Sequence, residues 1–464
     1  MMVAFLLLVA AGVAVALVEW RLGLLAMVVV AMVQDPVRKM MPGAPGLLVL
    51  SAAMVWGAAV IGAVLGRQIQ WPQFRRHNPG VASAIIVFAV SLVPAAIRSS
   101  LYSAGSWQIT LVGLLIYGSL LLGMLLGVFY PRTGRDIYRL LAWYCVLSAL
   151  AVSGGLLEKM GYRHASIGTE SMGFSWVTYR MGSDPVHMLA GFFRGPDVQG
   201  WHGSMLVMLS LVLAVYSKRW MRGLWLLTAA VGGMGVLVCG RRKMVSMLPV
   251  FLLVYLVLNI RHGRFRQLGW ALAAVVLVCT LGQQVYRVVG VDEVVMRFYG
   301  TALDTARDDI QRQGVESVFG TYQQAGFFGY GLGMATQGTH HIAADRPRVW
   351  QESGPSKLMA ELGVPGFVGF IILGVALLRA LAVDLRRAAD SSLYAVFSGL
   401  AAVVIANGAA GIVSAQIFGD PFVAAFLSLL IGIALSSARV RYVDRGAPRE
   451  TQQQGAPVQT CGSP

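Results

Sequence analysis

Clustered arginines are the residues of this chain whose types and spacing could do chemistry. Arg241, Arg242 and Lys243 are adjacent. A second, more widely spaced group lies in a long polar stretch and consists of Arg297, Arg307 and Arg312. A guanidinium group forms paired, charge-assisted hydrogen bonds with phosphate oxygens and stays protonated. Together the two groups could bind a diphosphate, although spaced ion pairs on a solvated helix would equally explain the second group.

Two carboxylates lie at the start of a late apolar run. Glu361 falls within its first turns, where a carboxylate must find a partner or water, and a helix N-terminus with a structural hydrogen bond would satisfy it. Glu352 lies just before the run, at the expected membrane boundary. If Glu352 has no catalytic role, the expected role of its carboxylate is an ion pair with Arg346, Arg348 or Lys357. Weaker candidates for acceptor or sugar contacts are Asp197, His202, His340, His341 and Glu361 itself.

Composition decides which kind of protein must position these groups. Of the 464 residues, 57% are hydrophobic and only 12% are charged, whereas soluble domains carry about 25% charged residues. The class predicted is a polytopic membrane protein. The net charge of +16 is attributed to basic cytoplasmic loops, so no nucleic-acid partner is expected.

The predicted fold is all-α, a transmembrane helix bundle of about 12 or 13 spans, since each crossing needs about 20 apolar residues. The first run is interpreted as a retained span, and the second is short enough to be re-entrant. The predicted spans are residues 2–18, 22–33, 46–66, 81–96, 108–129, 140–156, 202–216, 224–239, 244–260, 268–285, 358–383, 393–413 and 422–438.

Short basic loops set the predicted orientation, because Arg and Lys collect on the cytoplasmic side. N-terminal spans (1–156) precede a first periplasmic loop (157–201). Central spans (202–285) precede a large, partly helical periplasmic loop with the candidate site (286–357). C-terminal spans (358–438) end in a cytoplasmic, disordered tail (439–464).

The cluster Arg241–Lys243 breaks this charge pattern, since alternation of the spans places it on the outer face. One interpretation is structural: the topology is misassigned, or the side chains extend to the lipid headgroups. The other is functional: the cluster is an anion site at the membrane surface, because such cations need a negative partner.

No cysteine pair has metal-ligand spacing, and neither a metal nor a cofactor is predicted. The string Gly329–Gly333 lacks the context of a nucleotide-binding loop and indicates a tight turn or close packing.

Four motifs in order carry a family resemblance. They are the turn Gly240-Arg241-Arg242, Arg312 ahead of Gly329–Gly333, the segment Leu358–Gly366 around Glu361, and the segment Phe193–Asp197. With them the chain resembles the bacterial O-antigen ligase and polysaccharide polymerase superfamily, membrane glycosyltransferases of the GT-C type.

The resemblance implies transfer of a glycan from an undecaprenyl diphosphate carrier to an acceptor hydroxyl at the periplasmic face of the inner membrane. It assigns diphosphate binding to Arg241 or Arg242 and to Arg312, with Arg297 as an alternative. It also implies independence from metals and cofactors. The other expected partners are the lipid bilayer and a chain-length regulator or polysaccharide export complex.

One departure favours a polymerase of exopolysaccharide or O-antigen repeat units over a ligase acting on lipid A core. Nine residues before Glu361, where ligases carry a histidine, this chain has Glu352. A carboxylate there could still be the catalytic general base if partial burial raised its pKa. The rivals from other classes are a transporter of a lipid-linked or anionic substrate and a non-catalytic scaffold of a secretion complex.

Overall fold

The protein is a multi-pass membrane helix bundle. The computed structural model describes residues 1–102, 106–173, 175–178, 186–261, 269, 307–308, 310–336, 349, 351–437 and 439–440. Among these residues, ten helices are long and apolar enough to cross a membrane, and two apolar helices are shorter. The all-α prediction is therefore confirmed.

The first half of the chain alternates long helices with short connections. A 3-10 turn, Gly46–Leu50, leads into α3, and another, Glu170–Met172, precedes a small antiparallel hairpin. The elements are α1 (Met2–Val18), α2 (Trp20–Lys39), α3 (Ser51–Leu65), α4 (Trp71–His77), α5 (Pro79–Ser100), α6 (Ser106–Phe129), α7 (Gly134–Lys159), β1 (Trp176–Thr178) and β2 (Val186–Met188).

The second half contains the long kinked helix that carries both candidate carboxylates at or near its start. A π-helical segment, Ile310–Glu316, lies ahead of it. The elements are α8 (Pro196–Tyr216), α9 (Arg219–Val238), α10 (Arg242–Val245), α11 (Met247–Ile260), α12 (Ser317–Ala325), α13 (Gly354–Arg387), α14 (Tyr394–Val413), α15 (Gln416–Gly419) and α16 (Pro421–Ala434).

The second span is longer than its apolar stretch. Sequence predicted residues 22–33, whereas α2 covers Trp20–Lys39. Its polar end continues as helix because neighbouring loops supply partners: Asp35 accepts bonds from Arg194, and the Nζ of Lys39 lies 2.7 Å from a loop carbonyl. Apart from residues 269, 439 and 440, the predicted span 268–285 and the tail lie outside the described residues.

Helix α8 forms the centre of the bundle. It packs against α7, α9 and α14, and 94% of its most apolar 18-residue stretch is buried. A helix that is apolar on all sides is stable in such a position because every face meets a neighbour. Its N-terminal end, which holds Asp197, is thereby fixed against the rest of the molecule.

Small residues join α6 to α16. A Cβ added at Gly127 would lie 2.2 Å from the carbonyl oxygen of Leu429, and one added at Gly432 would lie 2.1 Å from that of Met124. Such close backbone approach is how membrane helices associate without a hydrophobic driving force between them. The contact fixes the C-terminal half of α16 against the C-terminal half of α6.

The two ends of the bundle differ in charge. At one end, here called the basic end, the Nε of Arg21 donates to the carbonyl of Tyr130 (2.9 Å), and the Nη1 of Arg439 donates to that of Val128 (3.0 Å). The basic loops 67–80 and 131–139 connect helices there. The opposite end, where α8, α13 and α16 begin, is called the site end.

Candidate functional site

The turn between α9 and α10 presents a cation at the start of α8. Gly240 has a φ of +71°, a backbone conformation that favours glycine, and reverses the chain between two helices. The Nη2 of Arg241 then lies 2.8 Å from the carboxylate of Asp197, and the Nζ of Lys243 lies 3.2 Å from the same group. Because all three side chains are about one-fifth exposed, the cluster is partly shielded from water.

A cleft at the site end brings this cluster next to α13. Arg241, Lys243 and Asp197 line it on one side, and Glu352 and Lys357 line it on the other. The connection from α14 to α16 completes the wall with residues 414–416 and 419. Its volume of about 40 Å³ has room for water only. A larger anion must therefore separate Arg241 from Asp197 to enter.

Glu352 faces this cleft from a fixed backbone. Its carbonyl accepts a 2.7 Å hydrogen bond from the amide of Ala415, while its side chain is exposed. Lys357, one of the ion-pair partners considered from sequence, instead lies 2.8 Å from Glu361. Arg346 and Arg348 lie outside the described residues. Among the described residues, no cation lies within ion-pair distance of the Glu352 carboxylate.

Glu361 lies at the centre of a buried hydrogen-bond network. One oxygen accepts from the amide of Ala335 (2.9 Å), the hydroxyl of Thr336 (3.0 Å) and the Nζ of Lys357 (2.8 Å). The other accepts from the hydroxyl of Tyr117 (2.7 Å). With both oxygens engaged and no exposed surface, Glu361 joins α6, α13 and the segment 329–336.

The glycine string fits between helix backbones. Gly329, Gly331 and Gly333 all have positive φ. A Cβ on Gly329 would lie 2.7 Å from the amide of Gly363, and one on Gly333 would lie 2.3 Å from the carbonyl of Ile109. The string therefore packs against α13, α5 and α6, and the kink at Gly363 (φ +64°) receives it.

A second ionic cluster supports the cleft from behind. Arg194 donates from its amide (3.0 Å) and its Nη1 (3.3 Å) to Asp35, and from its Nη2 to Asp420. Burial lowers the pKa of Arg194, but the two carboxylates outweigh burial and raise it above the ordinary value. Asp420 also caps α16 by accepting from the amide of Phe422 (2.8 Å). Three helices are thus tied together just behind Asp197.

Other predicted site residues occupy different positions. His202 is buried in α8, where its ring stacks on Phe193 (4.5 Å between centroids) and contacts the Tyr144 hydroxyl at 2.9 Å. Arg312 is exposed on the π-helical segment, which packs against the C-terminal end of α14. In the part of the chain that the structure describes, no contact joins Arg312 to Arg241 or Glu352. Arg297, His340 and His341 lie outside that part.

Arg242 follows Arg241 directly but starts the short helix α10. It is half-buried and is not among the residues that line the cleft. The structure therefore presents Arg241 and Lys243 to the cleft, while Arg242 lies beside it. The sequence analysis named both arginines as candidates. Which of two adjacent side chains in a turn faces the cleft depends on the fold and could not be read from the sequence.

Sequence analysis did not single out the Lys357–Glu361 ion pair or the Arg194 cluster, which lie next to the cleft residues. A signal existed for Lys357, since Lys357 and Glu361 are opposite charges four residues apart at the start of an apolar run. No local signal pairs Arg194 with Asp35 and Asp420, because these residues come from three distant parts of the sequence.

The arrangement can bind an anion beside a carboxylate that can accept a proton. Arg241 and Lys243 supply positive charge, and Glu352 supplies the carboxylate. The nearby Cys239 thiol is fully buried, so it does not face the cleft as a nucleophile. Within the described ranges, no three His, Cys, Asp or Glu side chains are grouped to hold a metal ion.

Comparison with protein-family models and with curated protein sequences gives no match for this chain.

Proposed function

We propose that the protein is a membrane glycosyltransferase that polymerises undecaprenyl-diphosphate-linked oligosaccharide repeat units of an exopolysaccharide or O-antigen. The observation that carries the proposal is the common cleft of Arg241, Lys243 and Glu352. It combines cations for a diphosphate with a candidate base at the site end of the bundle.

The charge asymmetry supports a periplasmic site in a bacterial inner membrane. Short loops rich in Arg and Lys favour the cytoplasmic side, which assigns the basic end to the cytoplasm. The site end then faces the periplasm. Arg241 and Lys243 are on the side where the orientation rule disfavours cations, and Asp197 offsets part of their charge.

The proposed reaction proceeds with inversion at the anomeric carbon. The donor diphosphate displaces Asp197 from Arg241 and Lys243, whose charge stabilises the leaving diphosphate. An acceptor hydroxyl oxygen attacks the anomeric carbon as the bond from that carbon to the phosphate oxygen breaks. Glu352 takes the hydroxyl proton, and such base catalysis contributes about a hundred- to ten-thousand-fold. The sugar–diphosphate bond supplies the free energy.

A transporter of lipid-linked glycans is the second candidate, favoured by one observation. Helix α13 carries a buried ion pair, Lys357–Glu361, and is broken at Gly363. Transporters often place ionisable residues and interrupted helices in their spans. The filled hydrogen-bond network around Glu361 favours a structural role for this pair, so the glycosyltransferase is the first choice.

The decisive experiment is turnover of the repeat unit that accumulates on its carrier in cells lacking this protein, with the products sized on a gel. The full-length chain, purified and reconstituted, should produce a ladder. Glu352→Gln should abolish the ladder and retain donor binding, because the amide keeps the shape of the side chain but accepts no proton. Arg241→Ala should weaken donor binding.

The matched controls are Glu170→Gln and Arg163→Ala. These residues form an exposed ion pair at the site end (3.0 Å) away from the cleft, and both variants should polymerise normally. Full activity of Glu352→Gln would contradict its role as base. Product formed only with lipid A core would indicate a ligase, and movement of single units across the bilayer without a ladder would indicate a transporter.

A further inference from the structure

A groove of about 610 Å³ runs between α5 and α13 at the basic end. It lies at the end of the bundle opposite to the candidate site. One wall is the start of α5, residues 79–81, and the other is the C-terminal half of α13. The groove takes no part in the proposed function.

The wall on α13 is an apolar stripe that ends in arginines. Ile372, Val375, Arg379, Val383 and Arg387 recur at intervals of three or four residues, the spacing of one helix face. Ile372, Val375 and Val383 are more than two-fifths exposed. In a span, this surface is in contact with acyl chains, so the groove is open to the bilayer.

Cations lie where the apolar stripe meets the membrane surface. Arg379 is exposed, and among the described residues no carboxylate lies within ion-pair distance of it. Arg387 lies about two helical turns further along and pairs with Asp384 at 3.7 Å. His77 closes the groove from the side of α4. Asp384 also lines the groove, but its described ion-pair partner is Arg387, so Arg379 faces the groove without an ion-pair partner among the described residues.

We propose that this groove binds an anionic phospholipid of the surrounding leaflet, with its phosphate at Arg379 and an acyl chain along Ile372 and Val375. Two features favour a lipid over a soluble anion. The α13 wall of the groove is mostly apolar, and the unpaired cation Arg379 lies on the same exposed helix face. An isolated phosphate would leave the apolar wall uncovered, whereas a phospholipid satisfies both parts at once.

Lipid binding to the full-length purified protein tests this assignment by native mass spectrometry. Phosphatidylglycerol and phosphatidylcholine of identical chains are the probes. The wild type should retain phosphatidylglycerol preferentially. Arg379→Gln should weaken its binding about fivefold, the effect of one cation near a lipid surface. Arg135→Gln is the matched control, because Arg135 is an exposed arginine of the basic end outside the groove, and it should bind as the wild type does.

A second variant tests the apolar part. Ala376→Phe narrows the groove beside Val375 without changing charge, and it should reduce retention of phosphatidylglycerol. Equal retention of the two lipids by the wild type, or equal loss in Arg379→Gln and Arg135→Gln, would overturn the proposal. Displacement of the lipid by millimolar inorganic phosphate would also overturn it, because it would identify a site for a soluble anion. The lipid-binding proposal and the proposed polymerase activity are independent, because they concern opposite ends of the bundle and are tested by different measurements.

Discussion

The guanidinium group of Arg241 lies 2.8 Å from the carboxylate of Asp197, which Lys243 also contacts at 3.2 Å. In the proposed function, Asp197 occupies the position beside these two cations that the donor diphosphate takes over. Two cations facing one carboxylate leave a net positive charge, so the cluster can exchange this internal anion for an external one.

Asp197→Asn should therefore bind inorganic pyrophosphate more tightly than the wild type. Removing one charge from direct contact changes the interaction by about 1 kcal/mol in a water-accessible site, which corresponds to about fivefold in affinity. Isothermal titration calorimetry on the purified protein measures the change. Glu170→Gln, which removes an exposed carboxylate of the site end, should leave the affinity unchanged. Weaker binding in Asp197→Asn would show that Asp197 orients Arg241 and does not compete with the ligand.

Arg194→Ala should destabilise the fold by about 3–5 kcal/mol, because it leaves Asp35 and Asp420 buried without their cation. Unfolding of the purified protein, followed by tryptophan fluorescence, measures the loss. Arg163→Ala breaks an exposed ion pair with Glu170 and should cost at most about 1 kcal/mol. Similar losses in the two variants would mean that the Arg194 cluster contributes no more than a surface pair.

The buried pair Lys357–Glu361 should respond asymmetrically to mutation. Glu361→Gln removes the described countercharge of Lys357 and leaves it neutral acceptors, the new amide oxygen and the Thr336 hydroxyl, whereas Lys357→Met leaves Glu361 with three donors, from Tyr117, Ala335 and Thr336. Glu361→Gln should therefore be the more destabilising, by an amount in the range of about 3–5 kcal/mol. Unfolding of the two purified variants, followed by tryptophan fluorescence, measures which loss of stability is larger. A larger loss for Lys357→Met would contradict the assigned network.

Two glycines separate backbone strain from close packing. Gly326 and Gly329 have nearly equal φ values, +72° and +68°, but a Cβ at Gly326 meets nothing within 4 Å, while one at Gly329 lies 2.7 Å from the amide of Gly363. At Gly326 the backbone (φ +72°, ψ −171°) is in a region that essentially only glycine adopts, so Gly326→Ala should cost about 1–3 kcal/mol through backbone strain alone. Gly329→Ala should cost about 4 kcal/mol or more. Equal losses of stability would show that the string has room to move away from α13.

Hydropathy alone was enough to predict the class and the positions of the described spans. The apolar runs that became α5, α6, α13 and α14 were located correctly from sequence, with ends that differ by a few residues. A span in lipid must satisfy its backbone hydrogen bonds internally, so apolar length and helix go together. The end of α2 was missed because residues 34–39 are polar and are stabilised by distant partners.

Arg241 and Glu352 were proposed as candidate site residues from their type and position, as part of a charge cluster in an unusual place and as a carboxylate at a span boundary. Their placement around one cleft, the pairing of Asp197 with Arg241 and the burial of Glu361 with Lys357 were decided only by the tertiary structure. The physical reason is the distance along the sequence over which each effect acts. Hydropathy acts residue by residue along the chain, whereas an ion pair depends on which helix ends meet, and that follows from the packing of the whole bundle.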